Sequence, residues 1–162
     1  MKQYPSQEKL KRLFAYNEDT GDVTRLIQCG KMKPGSLVGS KTHFGYTQTK
    51  VDNNNYFLHR IIWKLVYGKD PDGVIDHIDG NKRNNAISNL RDVSIATNNE
   101  NQRNINRKSK SGVFGAVQRG DKYAAMIVLD GVQKYLGTFK TADEAHQVYL
   151  NAKRMFHRGC TL

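Results

Sequence analysis

Nine asparagines fall between residues 81 and 106, and no other feature restricts the fold as much. Asparagine side chains bond nearby backbone groups and compete with helix and sheet ladders, so this stretch is predicted to be a polar loop held by its own side chains. The apolar runs beside it are short. Val74-Ile75 and Leu90 to Val93 suit two brief strands around the loop, and Ser94 is placed to cap a helix from Ile95 to about Arg103.

The flanking sequence is more regular. Leu10, Leu13 and Phe14 stand at helical spacing ahead of turn formers that end at Gly21, which predicts a short helix leading into a hairpin. Gly35, Gly39, Gly45 and Asn53-Asn54-Asn55 punctuate short strands around Tyr46 to Val51 and Tyr56 to Leu58. Leu58, Ile61, Ile62 and Leu65 then mark an amphipathic helix ended by Gly68 and Pro71. Near the C-terminus, Gly112 to Val117, Tyr123 to Leu129 and Gln133 to Phe139 are separated by turn signals at Arg119-Gly120-Asp121 and Asp130-Gly131, as in a three-stranded antiparallel meander. Thr141 and Glu144 form a capping box. The helix they open carries Ala145, Val148, Tyr149, Ala152, Met155 and Phe156 as its expected apolar stripe, which must cover one face of the sheet and leave the other free. The expected class is α+β. A β-rich segment spans residues 1–55, a central core residues 56–106, and a basic linker with a sheet-and-helix domain residues 107–162.

Charge narrows the partners. The 162 residues hold 26 Lys and Arg against 15 Asp and Glu, a formal net charge of +11. The excess is spread along the chain, with 10 basic against 5 acidic residues in 1–60, 9 against 6 in 61–110, and 7 against 4 in 111–162. Such a distribution suits a long contact with a phosphate backbone better than a single tethering patch. No run approaches the roughly 18 apolar residues of a membrane span, and the N-terminus has no apolar stretch of signal-peptide length, so a soluble cytoplasmic protein is expected. Cys29 and Cys160 are far apart and form no CxxC pair. Any metal must therefore be held by oxygen and imidazole ligands.

The stretch richest in chemistry is Asp76-His77-Ile78-Asp79-Gly80-Asn81, followed by Asn84-Asn85, Asn89-Leu90-Arg91 and Asn98. Phosphodiester hydrolysis needs a base for water, a cation on the scissile phosphate and stabilisation of the leaving oxygen. Successive residues of a strand face opposite ways, so Asp76 and His77 reach one phosphate only if the strand breaks there. Asn98 is placed to complete an oxygen-rich site for a hard ion such as Mg²⁺, and Asn99 and Asn101 compete with it from the same helical turn. Asp79 and Gly80 are expected to form a tight turn.

These residues resemble the HNH homing endonucleases, with their ββα-metal (His-Me finger) motif. Phe14 to Leu26 resembles the common N-terminal hairpin, Leu58-His59-Arg60 with Trp63 the His-Arg helix, and Asp76 to Asn98 the nuclease core. The histidine precedes the middle asparagine by 12 residues, and the last asparagine follows 9 later. The resemblance implies that His77 is the general base, that Asp76 and Asn98 hold one Mg²⁺ or Mn²⁺ ion, and that Asn89 pins the loop and orients the histidine. His59 either packs beneath the site or touches substrate.

From Ser111-Gly112 through Tyr135-Leu136-Gly137-Thr138-Phe139 to Thr141-Ala-Asp-Glu-Ala145, the C-terminal meander resembles the APETALA or ethylene-response-factor type of DNA-binding domain. That resemblance implies that the free sheet face enters the major groove, with Gln118, Arg119, Lys122, Tyr123 and Lys134 as contacts. Tyr123 stands where that family usually has tryptophan. Together the two resemblances imply a bacteriophage-type, metal-dependent endonuclease that cleaves double-stranded DNA without a small-molecule cofactor or a membrane. If phage-encoded, it would act in the host cytoplasm. A DNA-binding regulator with a decayed nuclease core is the rival, and the intact Asp76, His77, Asn89 and Asn98 speak against it.

Overall fold

The computed structural model describes residues 4–102 and 109–161. The expected linker around Arg107 and Lys108 lies outside the described residues. The chain divides into two compact units, residues 1–94 and 95–162. The boundary expected between residues 55 and 56 lies inside the first unit, because both sides share one core.

In the first unit, α1 (Gln7–Leu13) starts at Ser6, whose hydroxyl accepts from the Lys9 amide at 3.3 Å. It passes directly into β1 (Phe14–Tyr16), which pairs antiparallel with β2 (Val23–Arg25). A second sheet is formed by β3 (Ser40–Lys41), β4 (Thr47–Val51) and β5 (Asn54–Phe57) in chain order. Asp52 and Asn53 turn β4 into β5 at φ 47° and 62°, the left-handed pair that a two-residue hairpin requires. α2 (Leu58–Tyr67) buries Leu58, His59, Ile61, Ile62 and Leu65 and stops at Gly68, in the left-handed conformation. Leu10, Phe14, Val23, Val51, Tyr56, Ile61 and Ile62 meet in one core with Ile75 and Leu90. Those last two come from β6 (Val74–His77) and β7 (Leu90–Val93), an antiparallel ribbon with a polar loop and a short 3-10 turn (Ile87–Asn89) between its strands.

The second unit begins with α3 (Ile95–Glu100). Here β8 (Ala116–Arg119), β9 (Lys122–Leu129) and β10 (Val132–Phe139) form an antiparallel sheet with β9 in the centre. α4 (Ala142–Phe156) covers one face, opened by the Thr141–Glu144 capping box. Its buried stripe is Ala145, Tyr149, Ala152 and Lys153. Met155 and Phe156, expected in that stripe, are 74% and 54% exposed. In their place the unit buries Lys153, whose ammonium donates to the Gln102 carbonyl at 2.6 Å and lies over the rings of Phe114 and Tyr149. A buried cation with both kinds of partner is stable where an unpaired one is not. Residues 112–115 turn rather than extend, because Ser111 Oγ donates to Ala116 O and Gly115 takes φ 76°. Among the described residues, no helix is long and apolar enough to cross a membrane.

Gly115 abuts a core aromatic: a Cβ there would lie 1.9 Å from Tyr149 Cγ. Gly115→Ala is expected to cost the second unit about 3 kcal/mol through strain and a displaced ring. Gly112→Ala, at a similar φ but in open space, is expected to cost only about 1 kcal/mol. Denaturant melts of the two variants check the difference.

Candidate functional site

The loop between β6 and β7 is built from asparagine and aspartate bonds. Asn89 Oδ1 accepts from the Asp79 amide at 3.0 Å, and Asn89 Nδ2 donates back to Asp79 Oδ1 at 2.9 Å and to Asn84 O at 2.8 Å. Asp79 also accepts from the Asn81 amide and from Asn84 Nδ2. Burial raises the proton affinity of the Asp79 carboxyl, but the bonds from Asn84, Asn81 and Asn89 outweigh it and hold the pKa below the ordinary value. Gly80 N donates to His77 O at 2.8 Å and Ile78 N to Asn89 O at 2.9 Å, so the chain turns away immediately after the histidine.

His77 is therefore the last residue of its strand, and it is buried. Its Nε2 lies 3.2 Å from Asn85 Oδ1, and Asn85 Nδ2 is turned to the Arg83 carbonyl at 3.4 Å. In this orientation the amide oxygen faces the ring. A carbonyl oxygen only accepts, so Nε2 carries the hydrogen and Nδ1 is the basic nitrogen of the ring. Asn85 is itself clamped: Tyr16 Oη donates to its carbonyl at 3.0 Å, and Gly21 comes so close that any Cβ would sit 2.5 Å from its carbonyl carbon. The β1–β2 hairpin thus sets the position of the residue that holds the imidazole.

Behind His77 stands an aromatic wall. The His59 ring meets it edge-on at 5.2 Å, Phe57 stacks on His59 at 5.5 Å, and Tyr46 lies 5.4 Å from His59 and 6.0 Å from His77. His59 Nδ1 is buried and makes no hydrogen bond. Burial first, then the neighbouring His77 and Arg60, push the His59 pKa down to about 3. Burial also dominates at His77 and lowers its pKa against the opposing pull of Asn85, Asp79 and Asp76, with Lys82 adding to the depression. Both rings are neutral at neutral pH.

Asp76 is opposite Arg91 in the β6–β7 register, and its Oδ2 accepts from Arg91 Nε at 2.9 Å and lies 2.8 Å from Nη2. Asn98 is carried by α3 in the second unit. In the C-terminal sheet the register separates the expected DNA contacts. Val117 and Ala124, Arg119 and Lys122, Met126 and Tyr135, Val128 and Gln133 are cross-strand pairs on the open face, whereas Gln118 with Tyr123, and Lys134, share the parity of the face toward α4. Tyr123 packs against the Ala116, Ala125 and Ala145 cluster. Asn85, Tyr46, Lys82 and Arg91 received no role from the sequence. Only the Asn84-Asn85 doublet gave a signal, since two adjacent amides inside one loop have more bonding capacity than a single cap uses.

Residues 56–103 match the family model described as HNH endonuclease. That segment is similar to an HNH endonuclease domain. It is 38% identical over 103 residues to an uncharacterised HNH endonuclease of Acanthamoeba polyphaga mimivirus, covering 61% of this chain and 52% of that protein. It is 43% identical over 55 residues to an SPbeta prophage-derived protein of Bacillus subtilis named as an HNH homing endonuclease, covering 33% and 32% of the two chains. The chain thus spans about half the length of the first relative and a third of the second. No solved structure matches it.

HNH nucleases generally use a divalent metal ion. Among the described residues no three His, Cys, Asp or Glu side chains converge as a metal cage. Asp76 offers one buried carboxylate, already paired with Arg91, so a hydrated ion there would draw its other ligands from water and substrate phosphate oxygens.

The electrostatics around His77 make a signed prediction. An NMR titration is expected to place the His77 pKa below 6.5. Lys82→Met removes a depressing charge and should raise it, whereas Asn85→Ala removes a bond that favours the charged ring and should lower it further. For His59 the folded pKa lies below the unfolded one, so its stabilising contribution is full above pH 6.5 and is lost as pH falls towards 3. Acid melts of His59→Gln are expected to show a shallower loss of stability across that window than the parent.

Proposed function

We propose that this chain is a metal-dependent HNH endonuclease of the homing type that hydrolyses phosphodiester bonds of double-stranded DNA. The observation that carries the reading is the Asn85 amide bonded to His77 Nε2, which leaves Nδ1 of a buried, neutral imidazole as the basic nitrogen. In that role His77 Nδ1 takes the proton of the attacking water. Asn89 acts one step removed, by fixing the loop from which Asn85 reaches the ring. Asp76, and by resemblance alone Asn98, would hold one Mg²⁺ or Mn²⁺ ion, which when bound offsets charge on the scissile phosphate and the leaving 3′ oxygen. Arg91 holds the Asp76 carboxylate in one orientation.

The second unit is proposed as the reader, an APETALA/ERF-type module whose open sheet face carries Arg119, Lys122, Gln133 and Tyr135 to the major groove. The names of both relatives support an endonuclease, and the spread of positive charge suits a phosphate backbone as its substrate.

Purified protein on supercoiled DNA with Mg²⁺ should yield nicked or linear product, and none in excess EDTA. His77→Ala is expected to slow cleavage by a factor of roughly 10² or more with binding near that of the parent, and unchanged cleavage would remove His77 as the base. For the reader, Arg119→Ala with Lys122→Ala should flatten the slope of log K against log salt by about one unit per lost phosphate contact. An unaltered slope would place the DNA elsewhere.

A further inference from the structure

The β3–β4 connection, residues 42–46, presents a large aromatic side chain to water at the edge of the proposed active site. The turn is closed by Thr42 N to Tyr46 O at 2.8 Å, Gly45 N to Thr42 O at 3.0 Å and Tyr46 N to Thr42 Oγ1 at 3.1 Å. Small polar residues are the usual occupants of such a tip, yet this one holds His43 and Phe44 with ring centroids 3.6 Å apart and Phe44 64% exposed. Phe44 belongs to none of the buried clusters of the fold. Packing therefore gives no reason for its size.

The tip is tied to the histidine loop. Lys82 Nζ donates to the Phe44 carbonyl at 3.1 Å and lies 4.5 Å from the centre of the Tyr46 ring, which in turn stands 6.0 Å from His77. These steps bound the Phe44 carbonyl at roughly 14 Å from the His77 ring, about four base-pair rises of 3.4 Å. Lys41 directly precedes the turn and lines one cleft with Arg83, and Lys82 reaches the turn from the other loop, so cations stand near the aromatic tip. An exposed aromatic side chain with cations nearby suits a stacked polyanion: the cations take phosphates, and the apolar ring enters between bases.

We infer that the 42–46 turn is a DNA wedge, in which Phe44 inserts within a few base pairs of the scissile phosphate and unstacks neighbouring bases while Lys82 holds a nearby phosphate. This rests on the endonuclease reading and adds to it the element that deforms the substrate. Unstacking near the cleaved bond would favour flexible base steps, so Phe44 also contributes to where the enzyme cuts.

The experiment has two arms. Nicks made by the parent protein on supercoiled plasmid DNA are first mapped, and absence of nicking overturns the endonuclease reading together with the wedge that depends on it. Duplexes carrying 2-aminopurine at each position within four base pairs of a mapped nick are then bound by the His77→Ala protein, which holds DNA without cutting. Fluorescence is expected to rise several-fold at one of these positions, to stay flat with His77→Ala/Phe44→Ala at equal occupancy, and to return with His77→Ala/Phe44→Trp. In the otherwise unaltered protein, Phe44→Ala should still nick, but more slowly and at more dispersed positions, with an unchanged melting temperature. If nicking occurs and 2-aminopurine responds equally with and without the ring, the wedge is refuted while the nuclease reading stands, and the exposed tip is left to a protein or lipid partner.

Discussion

The reciprocal bonds between Asn89 and Asp79 are the constraint on which the site depends. One amide accepts from the Asp79 backbone, donates to its carboxylate and also holds the Asn84 carbonyl. The loop from residue 78 to 88 has no ladder of its own, so without these bonds its backbone polar groups would need water or other partners. With them, Asn85 is delivered to His77 Nε2 and the chain turns sharply at Gly80. The two-strand ribbon that carries the loop is too small to be stable alone. It is supported because Ile75 and Leu90 enter the same core as Leu10, Phe14 and Ile61. A loop made of polar bonds is thus anchored through two apolar side chains.

The aromatic wall has a cost as well as a use. His59 is almost fully buried with an unbonded Nδ1, and a buried polar atom without a partner costs on the order of 1–3 kcal/mol. What the fold gains is a rigid edge against His77 that excludes water from one side of the ring. The same exclusion keeps both rings neutral. A histidine poised as a base must be unprotonated before the reaction, and burial secures this where the carboxylates of Asp76 and Asp79 alone would favour the charged form.

Much of the architecture is legible in the sequence because it follows from local chemistry. The helix on Leu58, Ile61, Ile62 and Leu65, the Asp130-Gly131 turn and the Thr141–Glu144 capping box each rest on spacing within a few residues. The resemblance of Asp76 to Asn98 to the HNH core likewise fell within the segment that matches the family model. What could not be read depends on distant pairing. Asn85 matters because Tyr16 and Gly21, more than 60 residues earlier, seat it beside His77. Lys153 reads as a surface residue until Gln102, Phe114 and Tyr149 surround it. Register is also invisible: one residue of slip exchanges the faces of a strand, and only the observed pairing separates Arg119 and Lys122 from Tyr123.

Lys82 connects the two halves of the proposed chemistry. Its charge adds to the burial that lowers the proton affinity of His77 in the free protein. Bound phosphate would alter that balance, since a phosphodiester anion near Lys82 screens the cation and adds its own negative field, and both effects raise the basicity of the imidazole. The base would then become stronger when substrate arrives, without any movement of the ring that Asn85 holds. A neutral resting state and a substrate-strengthened base are compatible because the charge that changes belongs to the DNA and not to the protein.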